Sequence, residues 1–126
     1  MLKDFPVIPY IPATDIARAR RFYEEKVRLV PKQEIGGGVV YECAKGSWIF
    51  LYESVGAGTS KASQAFWQVE DLDAEVAALR TNGVVFEEYD LPGIKTVDGI
   101  ATGGGSRVAW FKDSEGNIMA IIQSVT

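Results

Sequence analysis

Few residues in this 126-residue chain could do chemistry, and their types narrow the options before any fold is drawn. There is no histidine. No Ser-His or Cys-His pair can therefore activate a nucleophile, and no G-x-S-x-G segment sets a serine on a strand-to-helix elbow. The single cysteine, Cys43, reads as a small buried hydrophobe, because a reactive thiolate needs an electropositive, accessible niche. Gly103-Gly104-Gly105 lacks the Lys-Ser/Thr that follows in a phosphate-cradling loop. Carboxylates at Glu42, Glu53, Glu70, Glu87 and Glu88, together with the tyrosines, remain. Their available chemistry is general acid or base catalysis, provided burial moves a Glu pKa toward neutrality.

Composition sets the class. Hydrophobic residues at 47% and charged residues at 24% are those of an ordinary globular chain, and 126 residues make one domain spanning 1–126. A net charge of −4 leaves no basic patch to grip a phosphate backbone, so nucleic acid is not an expected partner. No run approaches the ~18 apolar residues of a membrane span, and MLKDFPVIPYIP lacks the apolar core of a signal peptide. The expected location is the cytoplasm, where an unpaired cysteine stays reduced.

The elements that must position these residues repeat. Trp110 to Gln123 reads as two apolar strands around the turn formers Asp113 to Asn117, and Tyr41 to Glu53 has the same shape around Gly46. Each hairpin follows an extended segment and an Asp-led amphipathic segment, from Asp15 and from Asp71. The order is that of a duplicated β-α-β-β-β unit, about 1–56 and 61–126, joined through the linker-like GAGTS of residues 56–60. The segment 6–12 carries three prolines and is expected at a sheet edge. In the first helix Ile16, Ala19, Tyr23 and Val27 form the apolar stripe, with Phe22 and Tyr23 in the core. Residues 84–89 read as the sixth strand. Residues 90–106, with five glycines, read as a long loop, either a mobile surface loop or a lid over a pocket.

An Asp-Ile/Leu helix opening, a following Phe-Tyr, and a later Phe-x-Asp-x-x-Gly-Asn turn together resemble the vicinal-oxygen-chelate superfamily. That group includes glyoxalase I, extradiol dioxygenases, and bleomycin- and fosfomycin-resistance proteins. The resemblance implies an α+β fold in which two tandem units form a curved, mostly antiparallel eight-stranded sheet enclosing a cavity, with helices outside. It also implies a homodimer. It places the family's metal ligands at Ile8, Phe50, Gln64 and Ala120, of which three carry no donor and the fourth is a lone amide. No metal and no other cofactor is expected, and metal-dependent glyoxalase, dioxygenase and thiol-transferase activities are disfavoured.

Strand alternation then puts Tyr10, Trp48, Tyr52, Phe66, Ile118 and Ile122 on the face of those four positions. Trp110 matches a substrate-contacting aromatic position of the resistance proteins, and Val108 shares its face. The expected ligand-binding set is Tyr10, Trp48, Phe50, Tyr52, Gln64, Phe66, Val108, Trp110 and Ala120, an aromatic surface with few polar handles. The leading function is metal-free binding of a small aromatic or amphipathic molecule. The alternatives are a metal-independent isomerase or lyase using Tyr10 or Glu53, and a relict whose aromatics fill a closed core.

Overall fold

Helix formation starts at two aspartates. In the computed structural model, which describes residues 1–124, the Asp15 carboxylate accepts from the Arg18 backbone N–H at 3.1 Å and opens α1 (Ile16–Arg21). Asp71 accepts in the same way from Ala74 at 3.1 Å and opens α2 (Leu72–Thr81). The last turns of the first helix widen over Phe22–Lys26, where the Val27 N–H reaches back to the Phe22 carbonyl. Phe22 and Tyr23 are both buried there, their rings edge to face at 5.3 Å.

The strands β1 (Tyr10–Ala13), β2 (Pro31–Ile35), β3 (Gly38–Glu42) and β4 (Trp48–Glu53) form a sheet in the order β1-β4-β3-β2. The proline-broken first strand is indeed at an edge, pairing in parallel with β4 alone. In the second unit β5 (Ser63–Gln68), β6 (Asp90–Leu91), β7 (Ile94–Val97), β8 (Ile100–Gly103), β9 (Ser106–Lys112) and β10 (Ile118–Ser124) are ordered β5-β10-β9-β8-β7-β6. The first four of that order repeat the first sheet, with β5 parallel to β10. The fold is therefore α+β, as expected, but with two mixed sheets of four and six strands that do not close.

Two expectations from the sequence are corrected. Residues 84–89 are not a strand; only Phe86 bridges Phe111, and the Glu87 N–H donates to the Trp110 carbonyl at 2.8 Å, beyond the point where β8 leaves β9. Residues 90–106 are not a loop but a meander, turning at Pro92-Gly93, Asp98-Gly99 and Gly104-Gly105. Asp98 and Gly99 have φ of 52° and 80°, and Gly104 and Gly105 60° and 81°, the backbone that two-residue hairpin turns require. The meander is tied down from outside. Arg80 of α2 donates to the Asp98 carbonyl at 2.7 Å, Glu88 accepts from the Gly99 N–H, and the buried Thr96 hydroxyl accepts from the Tyr89 N–H at 2.8 Å.

Odd-numbered side chains of the strands make the core. Ile11, Val39, Tyr41, Ile49 and Leu51 of one sheet join Phe111, Met119 and Ile121 of the other around Phe22, Tyr23, Leu72 and Val76. The helices thus lie against the faces that the two units bury together. The linker-like run is also docked: the Gly58 N–H donates to Asn117 Oδ1 at 3.0 Å, and a Cβ at Gly58 would stand 2.5 Å from the Glu115 carbonyl oxygen.

Candidate functional site

Because the odd faces are core, the even faces carry most of the half-buried and exposed side chains, with Val40 and Ala120 buried among them. On the first sheet Tyr10 pairs with Phe50 and Pro12 with Tyr52 in register. The Tyr10 ring stacks on Tyr52 at 3.6 Å and meets Phe50 edge-on at 5.5 Å, while Tyr10 remains 59% exposed. The Phe50 ring lies over Gly38, where an added Cβ would come within 2.7 Å of it, so the missing side chain seats the aromatic. Trp48 takes the Lys32 ammonium over its ring at 5.2 Å. This is an aromatic platform without a roof.

On the second sheet the rows read across three strands. Phe66, Ala120 and Trp110 are register partners, as are Gln68, Ile122 and Val108. Ala120, the smallest side chain in its row, is buried between two large rings. Tyr89 meets Trp110 edge-on at 5.5 Å, and with the β6–β7 hairpin it encloses a cleft of about 170 Å³ lined by Lys61, Ser63, Tyr89, Leu91, Ile94, Trp110 and Ile118. All of these belong to the second unit. Tyr89 has its pKa raised by burial and by the nearby Glu87 charge, so its hydroxyl stays protonated.

A bulge decides which polar group faces this cleft. Ile118 pairs with Ser63 but Met119 with Ala65, so Gln64 is the extra residue and its amide donates to the Ala62 carbonyl at 3.3 Å. Ser63 lines the cleft. Trp48 and Phe66 meet in a separate crevice of about 120 Å³ between the units, with the half-buried Cys43 also lining it. Glu53 is exposed at the end of β4, opposite Ala13. The structure thus gathers the expected residues into two groups, Tyr10, Phe50 and Tyr52 on one sheet and Phe66, Val108, Trp110 and Ala120 on the other. The sequence reading missed Lys61, Ser63, Tyr89, Leu91 and Ile94. The Pro-Gly and Asp-Gly turns flanking β7 are the signal that would have found the last two.

The metal positions implied by the resemblance do not fit a metal. Phe50 and Ala120 have no donor, Ile8 precedes β1, and Gln64 is turned to its own backbone. Among the described residues no three His, Cys, Asp or Glu side chains come together as ligands. Nor is any of their helices long and apolar enough to cross a membrane.

Paired β-α-β-β-β units with first and last strands parallel are the vicinal-oxygen-chelate fold, and the comparisons agree. No protein-family model and no curated protein sequence matches the chain. Among solved structures it is similar to TnmS3, an antibiotic binding protein from Streptomyces sp. CB03234, with a TM-score of 0.71 at 19% identity over 93% of both chains. It is similar to a glyoxalase/bleomycin resistance protein from the same Streptomyces, with a TM-score of 0.65 at 19% identity over 90% of this chain and 96% of that one. A lactoylglutathione lyase from Agrobacterium tumefaciens gives a TM-score of 0.68 at 14% identity, over 94% and 92%. At such identities the likeness is one of fold, and the fold hosts many chemistries.

Proposed function

We propose that this protein binds a small aromatic or amphipathic molecule without a metal, in the cleft beside Trp110. The observation that carries the reading is the lining of that cleft, in which the Trp110 indole, edge-on to Tyr89, stands beside the apolar Leu91, Ile94 and Ile118. That arrangement leaves a slot for a flat group. TnmS3, a neighbour in fold, is an antibiotic binding protein, which supports the same class of activity.

A cleft of about 170 Å³ is smaller than the roughly 300–1,000 Å³ of ordinary ligand pockets. A second wall would deepen it, and the unroofed platform of Tyr10, Phe50 and Tyr52 on a second copy would supply one. The charges favour that pairing. Residues 1–56 hold eight Lys or Arg against seven Asp or Glu, and residues 57–126 hold five against ten, so the first unit of one copy attracts the second unit of another. The working form is a homodimer, and the cytoplasm is a location that suits its unpaired cysteine.

The test is a titration of tryptophan fluorescence with a panel of mono- and bicyclic aromatics, run before and after dialysis against a chelator. Saturable binding that survives chelation supports the proposal. No binding by any member, or binding that requires an added divalent ion, would count against it.

A further inference from the structure

The polar groups of the Trp110 cleft are unequal in kind. Lys61 contributes an ammonium, Ser63 a hydroxyl and Tyr89 a protonated phenol, and the remaining lining side chains, Leu91, Ile94, Trp110 and Ile118, are apolar or offer only an indole N–H. No carboxylate and no amide oxygen lies among the lining side chains. All three polar side chains can donate, and only the Ser63 and Tyr89 hydroxyls can also accept.

Charges around the cleft sharpen this. Lys112, the register partner of Ile118, is held by Glu87 at 3.4 Å, and Asp90 stands opposite Lys95 across the β6–β7 ladder. Lys61 has no hydrogen-bond or ion-pair partner among the described residues and is the surplus charge at the rim. The chain as a whole is negative, but charges farther than about 8–10 Å are screened at physiological salt, so the nearby ammonium sets the local sign.

Building on the binding function proposed above, we infer that the ligand is an aromatic anion, with its ring against Trp110, Ile94 and Ile118 and its carboxylate or phenolate held by Lys61, with Ser63 and Tyr89 as further donors. A charged acceptor draws shorter and stronger hydrogen bonds from such donors than a neutral one. The cleft volume suits one ring or two fused rings, since a dry cavity of about 150 Å³ takes a benzene.

The test compares matched ligands. Binding of 2-naphthoate and 2-naphthamide is measured by calorimetry on the full chain at low and at high salt, for the wild type, Lys61→Gln and Lys61→Arg. The wild type is expected to prefer the carboxylate by about tenfold, a preference that shrinks with salt. Lys61→Gln should reduce the ratio below twofold and Lys61→Arg should keep most of it. Equal or tighter binding of the amide by the wild type overturns the anion inference while leaving the binding function standing. A preference that persists in Lys61→Gln overturns the role of Lys61. Failure of both compounds to bind removes the inference together with the function on which it rests.

Discussion

Tyr23 and Asp113, ninety positions apart, share a hydrogen bond of 2.5 Å that ties the first helix to the hairpin turn of the second unit. The carboxylate is saturated: Oδ1 accepts from the Glu115 and Asn117 backbone N–H groups, and Oδ2 from Tyr23 and the Asn117 amide. Burial and the Asp113 charge push the phenol pKa well up, so Tyr23 serves as a neutral donor. Tyr23→Phe deletes one donor and leaves Asp113 with three, and should cost about 1 kcal/mol in chemical denaturation. Asp113→Ala strands four buried donors and should cost more than about 3 kcal/mol. Similar losses from the two variants would mean that the turn does not depend on the carboxylate.

The neighbouring Glu115 gives the fold an acid limit. Hydrogen bonds from the Arg18 guanidinium at 2.7 and 3.0 Å hold its buried carboxyl down at about 2 against the upward push of burial, aided by the Asp15 N–H and the Ser114 hydroxyl. In the unfolded chain the group titrates near 4.3. Its contribution is therefore complete above about pH 4.5 and is lost as the pH falls toward 2, an amount of roughly 2–3 kcal/mol once the half-exposed position of Arg18 is discounted. Denaturation midpoints measured between pH 6 and 2.5 should fall across that window, and Glu115→Gln should lower stability at neutral pH while flattening the fall. An unchanged acid slope in the variant would assign the loss to other groups.

The sequence was most legible where one residue type has one use. Asp15 and Asp71 cap their helices, the prolines keep β1 at an edge, and the alternation that put Tyr10, Phe50, Tyr52, Phe66 and Trp110 on one set of faces matches the faces left open. It failed where glycine density was read as looseness. Residues 90–106 hold turn pairs at intervals of six, and such spacing specifies short hairpins rather than a loop. The bulge at Gln64 was invisible because nothing in Ser-Gln-Ala says which residue will be skipped by β10; strict alternation therefore misses that Ser63, and not the amide, lines the cleft. Side-chain alternation also says nothing of which unit a face meets, and so the two aromatic groups read as one surface.

Gly58 should be among the least tolerant positions of the inter-unit segment despite its linker-like sequence. It sits at φ of 74°, and a Cβ there would collide with the Glu115 carbonyl backbone. Gly58→Ala should cost about 2 kcal/mol or more and weaken the Gly58–Asn117 hydrogen bond, whereas Gly56→Ala, which would meet only the Ser54 hydroxyl at 3.4 Å, should be near neutral. Equal effects in thermal denaturation would show that the segment moves freely off the turn.

Trp110 separates an open cleft from a filled core more sharply than any other position. The side chain is half-buried, it meets Tyr89 edge to face, and it lines the cleft, so truncation enlarges an existing space. Trp110→Ala should therefore cost less than the ~3–5 kcal/mol of deleting a packed core aromatic, and should weaken an aromatic ligand by at least tenfold. Phe111, one residue on and fully buried between Phe22, Trp67 and Phe86, supplies the control: Phe111→Ala should cost the full amount. The complementary change is Ser63→Leu, which places bulk in the cleft beside Trp110 and should weaken binding at least tenfold with a small effect on stability, because Ser63 is exposed and lines the cleft. Urea denaturation of the three variants, paired with fluorescence titration through the remaining tryptophans, distinguishes the cases. A Trp110→Ala loss as large as that of Phe111→Ala, with ligand affinity untouched by Ser63→Leu, would make Trp110 structural and place any ligand elsewhere.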